Sequence, residues 1–297
     1  MGLAERMTAY HWTGSCPACH APFAHETMMP YCIEEWTILG CRQCGYHAVS
    51  PLPSHGAIEA HYNSDAYRQA DDLHYAKSRS RKRRAMLRAL RLWPWFRGRT
   101  VLDIGCGGGF MVEAFALFGA RSASGIDMSR AGIAYATVQA RRGTYRVADV
   151  ESLLSGPERY GFVFCSEVLE HLPDATLLPR ALAACVQYGG YALVNAPDIG
   201  HRETPADLTQ WPALCPPEHL QWFTSDGFAA VMERHGFVRK RRLRARGAAF
   251  SDLFLRVDEK NPSLSGSGSD VLSQGDRMGL DHSLRPLQER KRHVDAL

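Results

Sequence analysis

The chain has 297 residues, of which 45% are hydrophobic and 22% charged, and its formal net charge is +4. This length is typical of about two domains of roughly 150 residues each, and the composition excludes a wholly disordered or fibrous chain. No apolar run approaches the ~18 residues that span a bilayer and the N-terminus lacks the apolar core of a signal peptide, so we expect a cytoplasmic protein with no membrane partner.

Residues 1–55 form the first predicted unit, a small module rich in cysteine, histidine, proline and glycine. It contains two C-x-x-C pairs, formed by Cys16 and Cys19 and by Cys41 and Cys44. Two such pairs can supply four thiolates to one tetrahedral Zn²⁺, and a reducing compartment favours a metal over disulfides. Four cysteines leave no open coordination position, so we expect the zinc to be structural. Alternative ligands lie nearby at His20, His25, Cys32 and His47.

Residues 56–99 are predicted to be helical connectors. In the second half of this segment, Met86, Leu87, Leu90 and Trp93 are spaced along one stripe of a helix, with arginines on the other faces. Pro94 is expected to end or kink that helix.

Residues 100–257 alternate short apolar runs with helical stretches. The predicted strands are TVLDI, SASGID, TYRVAD, FVFCS and YALVNAP, and the helices between them are MVEAFALFG, RAGIAYATVQARR and LLPRALAACVQYGG. A final helix over residues 227–237 and a last strand in AAFSDLFLRV follow. This alternation predicts an α/β fold, a parallel sheet with helices on both faces. The polar remainder, residues 258–297, is predicted to be a disordered tail.

The loop between the first strand and its helix carries the strongest functional signal. The strand includes Asp103, and three alternating glycines follow it, at Gly105, Gly107 and Gly109. Glycine permits a tight turn and a close approach of the backbone to a ligand, and the following helix N-terminus favours a negative group. The loop does not fit the G-x-G-x-x-G dinucleotide pattern, because the third glycine would fall on Phe110 or Val112.

The pattern D-x-G-x-G-x-G resembles the first motif of class I S-adenosylmethionine (SAM) methyltransferases, which have a Rossmann-like sheet. Asp127 closes the second strand, where a carboxylate can accept two hydrogen bonds from ribose hydroxyls. The third strand ends before Asp149, where the family contacts adenine, and the run from Glu167 to Asp174 resembles the family segment VLEHLPD. The resemblance implies SAM binding by Asp103, Gly105, Cys106, Gly107, Gly109, Asp127, Met128, Asp149, Val150 and Ser166.

A zinc ribbon followed by a SAM domain is similar to a broad family of bacterial methyltransferases that modify glycans or secondary metabolites. Two further segments match that family. Residues 63–67 resemble its connector, and PPEHLQWFT, which begins at Pro216, resembles its PPEHLYFFT segment. The resemblance then covers about residues 14–240 and implies a small-molecule or sugar acceptor methylated on oxygen. It leaves the oligomeric state open.

Methyl transfer from a sulfonium is an in-line displacement, in which proximity and alignment supply most of the acceleration. A hydroxyl acceptor also needs a general base, and open α/β sheets bind ligands beyond the carboxyl ends of their strands. Candidates at the fourth and fifth strands are Glu167, Glu170, His171, Glu218 and His219. Similarity to ubiquinone-biosynthesis O-methyltransferases favours Glu170 and His171, with His219 as a third catalytic candidate. The alternative is that His171 only packs against or caps a turn.

Two basic runs of sequence make RNA an alternative binding partner. Residues 77–99 contain ten lysines or arginines, and residues 239–246 contain six. Such runs can bind phosphate backbones, although solvated basic faces are common and the net charge alone implies no nucleic acid. We therefore predict a SAM-dependent methyltransferase with a small-molecule or sugar acceptor. The rivals are an RNA methyltransferase that uses the basic helix, and a scaffold that binds SAM and zinc without turnover.

Overall fold

The computed structural model describes residues 14–22, 24, 28–33, 36–53 and 78–258. The strands are β1 (Met28–Ile33), β2 (Trp36–Cys41), β3 (His47–Val49), β4 (Thr100–Ile104), β5 (Ser122–Asp127), β6 (Thr144–Val147), β7 (Tyr160–Ser166), β8 (Val186–Pro197), β9 (Gln221–Trp222), β10 (Phe237–Arg242) and β11 (Ala249–Arg256). The α-helices are α1 (Ser78–Phe96), α2 (Phe110–Leu117), α3 (Arg130–Gln139), α4 (Leu177–Cys185) and α5 (Ser225–Arg234). Short 3₁₀ turns span Glu151–Leu154, Leu169–His171 and Leu208–Gln210. The predicted connector motif at residues 63–67, His25 and the tail from residue 259 lie outside the described residues.

A seven-stranded sheet has the order β10-β11-β8-β7-β4-β5-β6. Strands β4 to β8 run parallel, and β11 and β10 close one side as antiparallel strands. The chain moves outward from β4 through β5 to β6, then returns to the other side of β4 at β7. This reversal makes a crevice at the carboxyl ends of β4 and β7, which is where open α/β sheets bind ligands.

Helices cover both faces of this sheet, as the sequence predicted. One face packs against α1, α2 and α3 around aromatic side chains, with Phe115 and Phe162 meeting edge to face at 5.6 Å between ring centroids. The other face packs against α4 and α5, with Phe228 and Phe250 stacked at 5.6 Å. The predicted fold class is therefore confirmed.

A second, four-stranded antiparallel sheet joins the N-terminal module to the rest of the chain. Its order is β1-β2-β3-β9, and its last strand comes from the segment between β8 and α5. Trp222 on β9 is 1% exposed and its indole N–H donates to the carbonyl oxygen of Ala213 at 2.6 Å. Tyr46 lies in the same core cluster as the large sheet, donating to the Gln221 side chain at 2.8 Å. The two sheets are thus built on one continuous core.

Helix α1 buries a different stripe from the predicted one. Its buried residues are Ala85, Ala89, Leu92 and Phe96, whereas Leu87, Leu90 and Trp93 are 39–50% exposed. Both sets have helical spacing. Ala85 and Ala89 allow close contact with α2, and Leu92 and Phe96 pack into the same core cluster. Pro94 lies within the last turn and the helix continues to Phe96.

Two other element predictions were also wrong in detail. The predicted helix LLPRALAACVQYGG ends at Cys185, and its last five residues belong to the long strand β8. The basic run after Phe237 begins as edge strand β10, which the sequence analysis did not predict. Among the described residues, no helix is both long and apolar enough to cross a membrane.

Candidate functional site

The predicted cofactor residues gather at the carboxyl edge of the large sheet. Gly105, Gly107 and Gly109 form the loop from β4 to α2, with φ angles of +74°, +48° and +75°. At Gly105 an added Cβ would lie 2.3 Å from Val168 Cγ2, and at Gly109 it would lie 2.5 Å from the ring of Tyr145. Glycine is required here both by the left-handed backbone and by the close approach of neighbouring side chains.

Asp127, at the end of β5, faces this loop. One carboxylate oxygen accepts the backbone N–H of Gly107 at 2.7 Å, and the other accepts that of Ser129 at 2.8 Å. A carboxylate can accept about four hydrogen bonds in total. The two backbone bonds therefore fix its orientation while leaving it able to bind ligand hydroxyls.

The remaining predicted cofactor residues lie on the same edge with different exposures. Met128 is 66% exposed after β5, whereas Val150 is buried beyond β6. Asp149 accepts the backbone N–H of Ser152, in the short turn that follows, at 2.8 Å. Cys106 is buried, and burial raises the pKa of its thiol, which fits a packing role rather than a nucleophilic one.

Asp103 lies almost completely buried on β4, beneath the glycine loop. Burial raises the pKa of its carboxyl well above the usual value, and the negative charge of Asp127 adds to that effect, while the guanidinium of Arg88 opposes it.

Arg88 is a site residue that the sequence analysis did not single out. It projects from α1, with Nη1 donating to the Ser166 hydroxyl at 3.3 Å and the guanidinium 4.7 Å from the centroid of the Phe164 ring. Burial lowers its pKa, and the charges of Glu167 and Asp103 oppose that shift. Only its place between Ala85 and Ala89, on the buried face, distinguishes it in sequence from the surrounding arginines.

Glu170, His171 and His219 meet beyond β7, and we call them the Glu-His cluster. Glu170 and His171 lie in the 3₁₀ turn after β7, and His219 lies just before β9. The rings of His171 and His219 stand edge to face, with centroids 4.8 Å apart. The structure therefore brings together the three residues predicted to be catalytic.

Backbone carbonyls select the tautomer of both histidines. Nδ1 of His171 lies 2.8 Å from the carbonyl oxygen of Glu218, and Nδ1 of His219 lies 2.7 Å from that of Ala213. A carbonyl oxygen can only accept, so Nδ1 carries the proton and Nε2 is the acceptor atom of the neutral ring. This arrangement suits a general base or a metal ligand.

Glu170 in the same cluster is almost completely buried, with 2% of its surface exposed. Within the described part of the chain, neither carboxylate oxygen has a hydrogen-bond partner. Burial raises the pKa of this carboxyl well above its usual value, and the charge of Glu167 raises it further, so the neutral acid is favoured. Glu170, His171 and His219 each offer one atom that could bind a metal. These three atoms lie within 4.8 Å of one another, a spacing that can also hold a divalent cation.

Glu167 shapes the turn that carries this cluster. Its φ angle is +57°, a left-handed conformation that is uncommon outside glycine. Its backbone N–H donates to the carbonyl oxygen of Asn195, and its side chain accepts from the Asn195 amide at 2.5 Å. Strands β7 and β8 thus hold this strained residue at the crevice.

The four predicted metal ligands form a separate cluster in the N-terminal module. The Sγ atoms of Cys16 and Cys44 are 3.8 Å apart, and those of Cys19 and Cys41 are 3.7 Å apart. All four lie within 4.8 Å of one another. A Zn–S bond of about 2.3 Å makes the edge of a ZnS₄ tetrahedron about 3.8 Å. The cysteines are free and preorganised for a tetrahedral metal.

Comparison with known proteins gives one family match. A family model described as a methyltransferase domain matches residues 75–239, more than half of the chain. Ubiquinone biosynthesis O-methyltransferases from Marinobacter nauticus and Pseudomonas savastanoi are 38% identical over 105 residues and 44% identical over 98 residues. These alignments cover 33% and 31% of this chain, and 44% and 42% of the relatives. The chain thus spans less than half the length of these two relatives.

A solved structure supports the fold. Magnesium protoporphyrin IX methyltransferase from Synechocystis PCC 6803, determined with bound SAH, superposes with a TM-score of 0.52 at 18% identity. The match covers 68% of this chain and 100% of that one.

Proposed function

Because the chain belongs to the methyltransferase-domain family, we propose that it is a SAM-dependent methyltransferase that O-methylates a small molecule or sugar. The observation that carries this proposal is the pairing of the glycine loop with Asp127 across the β4–β5 edge. Backbone N–H groups and a fixed carboxylate side by side can hold a nucleoside with a charged amino acid tail.

Residues at the ends of different strands bind different parts of SAM. Asp127 accepts the ribose hydroxyls, and the glycine loop lets the cofactor approach the backbone closely. Asp149 and Val150 border the adenine, with Met128 covering it, and Ser166 and Arg88 border the amino acid end. Asp103 supports the loop from below. Bound SAM supplies an activated methyl group, so these residues act mainly by positioning.

The Glu-His cluster supplies the acid–base chemistry. We assign proton removal from the acceptor hydroxyl to Nε2 of His171 or of His219, because their Nδ1 atoms are committed to backbone carbonyls. Glu170 is a positioning residue in this scheme. As a neutral acid it lines the pocket and adds no negative charge beside the two imidazole rings.

The cysteine cluster is proposed to hold one structural zinc ion. We also propose the division of the chain that the sequence predicts, with a zinc-ribbon module at residues 1–55, a helical connector at 56–99, the methyltransferase domain at 100–257 and a tail at 258–297. The described thiol distances support the zinc, because they match the edges of a ZnS₄ tetrahedron.

Two measurements test the function. Calorimetry should show SAM binding by the wild-type protein and at least tenfold weaker binding by Asp127→Ala, since two charge-assisted hydrogen bonds are lost. Radiolabelled SAM should then label a ribonuclease-resistant, low-mass or glycan fraction of a bacterial lysate. Label that ribonuclease destroys would favour the RNA methyltransferase, and SAM binding with no transfer to any fraction would favour the non-catalytic scaffold.

A further inference from the structure

A cavity of about 660 Å³ opens beyond the carboxyl end of β8. Five arginines line it, and we call it the arginine cleft: Arg91, Arg202, Arg242, Arg244 and Arg246. They come from three separate parts of the fold, namely α1, the loop after β8, and the end of β10 with the loop that follows it. A volume of this size is typical of small-molecule sites.

Most of these arginines lack an ion-pair partner among the residues that the structure describes. Within the described part of the chain, the guanidinium groups of Arg91, Arg202, Arg244 and Arg246 make no hydrogen bond or ion pair. Arg242 differs, because it pairs with Asp226 at 2.7 Å. All five arginines are exposed, so their guanidinium groups are accessible to a solute, and like charges gathered around one cavity attract an anion.

Two carboxylates also line the arginine cleft, and they offset only part of its positive charge. Asp198 has one oxygen committed to the backbone N–H groups of Gly200 and Ser225, at 3.0 and 3.3 Å. Glu203 is exposed at the rim. Five guanidinium groups therefore face two carboxylates, and the cleft keeps an excess of positive charge.

The arginine cleft adjoins the proposed methyl-donor site. Arg91 lies one turn along α1 from Arg88, which contacts Ser166 at the end of β7. Asp198 follows β8 three residues after Asn195, which binds Glu167. The cleft and the donor residues thus open on the same edge of the sheet, as an acceptor site requires.

We propose that the arginine cleft binds the phosphate or pyrophosphate group of the methyl acceptor, so that the acceptor is a small phosphorylated molecule. This inference rests on the proposed function. Guanidinium groups match phosphate oxygens in a bidentate fork, and unpaired arginines converging from three elements fit a compact dianion. A nucleic acid would instead need a basic track that follows the spacing of a polymer backbone.

The test uses the full-length protein and inorganic pyrophosphate as the probe, titrated by calorimetry at fixed ionic strength. The cleft variant Arg244→Gln/Arg246→Gln should bind pyrophosphate roughly 10- to 100-fold more weakly than the wild type, because charge-assisted contacts are lost. The matched control Arg121→Gln/Arg141→Gln removes the same charge from exposed positions at the opposite edge of the sheet and should bind normally.

Equal loss in both double variants, or no pyrophosphate binding by the wild type, would overturn the proposal. A short single-stranded RNA that binds tightly through Arg244 and Arg246 while pyrophosphate does not bind would also overturn it, in favour of a nucleic-acid surface. SAM affinity is measured on the same samples. If SAM binds and pyrophosphate does not, only the cleft proposal fails; if pyrophosphate binds and SAM does not, the proposed function fails instead.

Discussion

Replacing Gly105 with alanine tests whether the glycine loop needs space as well as backbone freedom. The matched control is Gly98→Ala, in the turn between α1 and β4. Both glycines are left-handed, with φ angles of +74° and +70°, but an added Cβ at Gly98 has nothing within 4 Å. At Gly105 the Cβ would lie 2.3 Å from Val168 Cγ2, more than 1 Å inside the ordinary carbon–carbon contact of about 3.5 Å.

The two variants should differ in both stability and binding. A left-handed alanine costs about 1–2 kcal/mol at either position. Gly105→Ala should cost about 1–3 kcal/mol more, because β-branched Val168 has few alternative rotamers and must move with its backbone. That movement reaches the Glu170–His171 turn directly after it, so SAM affinity and methyl transfer should fall only in Gly105→Ala.

Urea unfolding followed by tryptophan fluorescence measures the free energy of unfolding of both variants, and calorimetry measures SAM affinity. Equal destabilisation together with equal SAM affinity would refute the close-approach argument. The left-handed backbone alone would then explain why glycine occupies the position.

Three further predictions follow from the buried and metal-binding groups. Cys41→Ser should lower the zinc content of the purified protein well below one ion per chain. The control Cys32→Ser changes an exposed cysteine outside the cluster and should leave the zinc content unchanged. Equal zinc content in both variants would contradict the four-cysteine site. Asp103→Asn should gain stability relative to the wild type as pH rises above about 4. The raised pKa makes native Asp103 keep a proton that the unfolded chain has released, so the wild type loses stability over this range. Urea midpoints of the variant and the wild type that stay parallel from pH 4 to 8 would rule this out. Trp222→Ala should cost about 3–5 kcal/mol in urea unfolding, since the side chain is fully buried in a cluster with Ile38, Val49 and Trp211. A loss below ~1 kcal/mol would show that this cluster contributes little.

Strand positions in the parallel sheet were predictable because short runs such as TVLDI and FVFCS alternate with helical stretches and are followed by a glycine or an acidic residue. Strand β10 was not, because four of its six residues are basic. It is an edge strand, and charged side chains are common there since they discourage pairing with other chains. The buried face of α1 was also missed, because periodicity alone does not say which of two equally spaced stripes faces the core.

The site was predictable where its residues cluster in sequence and less so where the fold assembles it. The glycine loop, Asp127 and the cysteine pairs follow local patterns. The contact between His171 and His219, forty-eight residues apart in the chain, depends on how the segment before β9 returns to β7. The sequence does not distinguish Arg88 from the neighbouring arginines, because tertiary packing determines which arginine contacts Ser166.

The shared strand β9 couples the four-cysteine cluster to the segment that carries His219. Trp222 pairs with His47 on β3, and Thr224 caps α5 while donating to the carbonyl oxygen of Cys44. The same short stretch carries His219 three residues upstream. Thermodynamic linkage is reciprocal. A metal bound by the four cysteines that stabilises this stretch would therefore also stabilise the position of His219, and a ligand that fixes His219 would tighten metal retention. Zinc content and acceptor affinity should therefore rise and fall together.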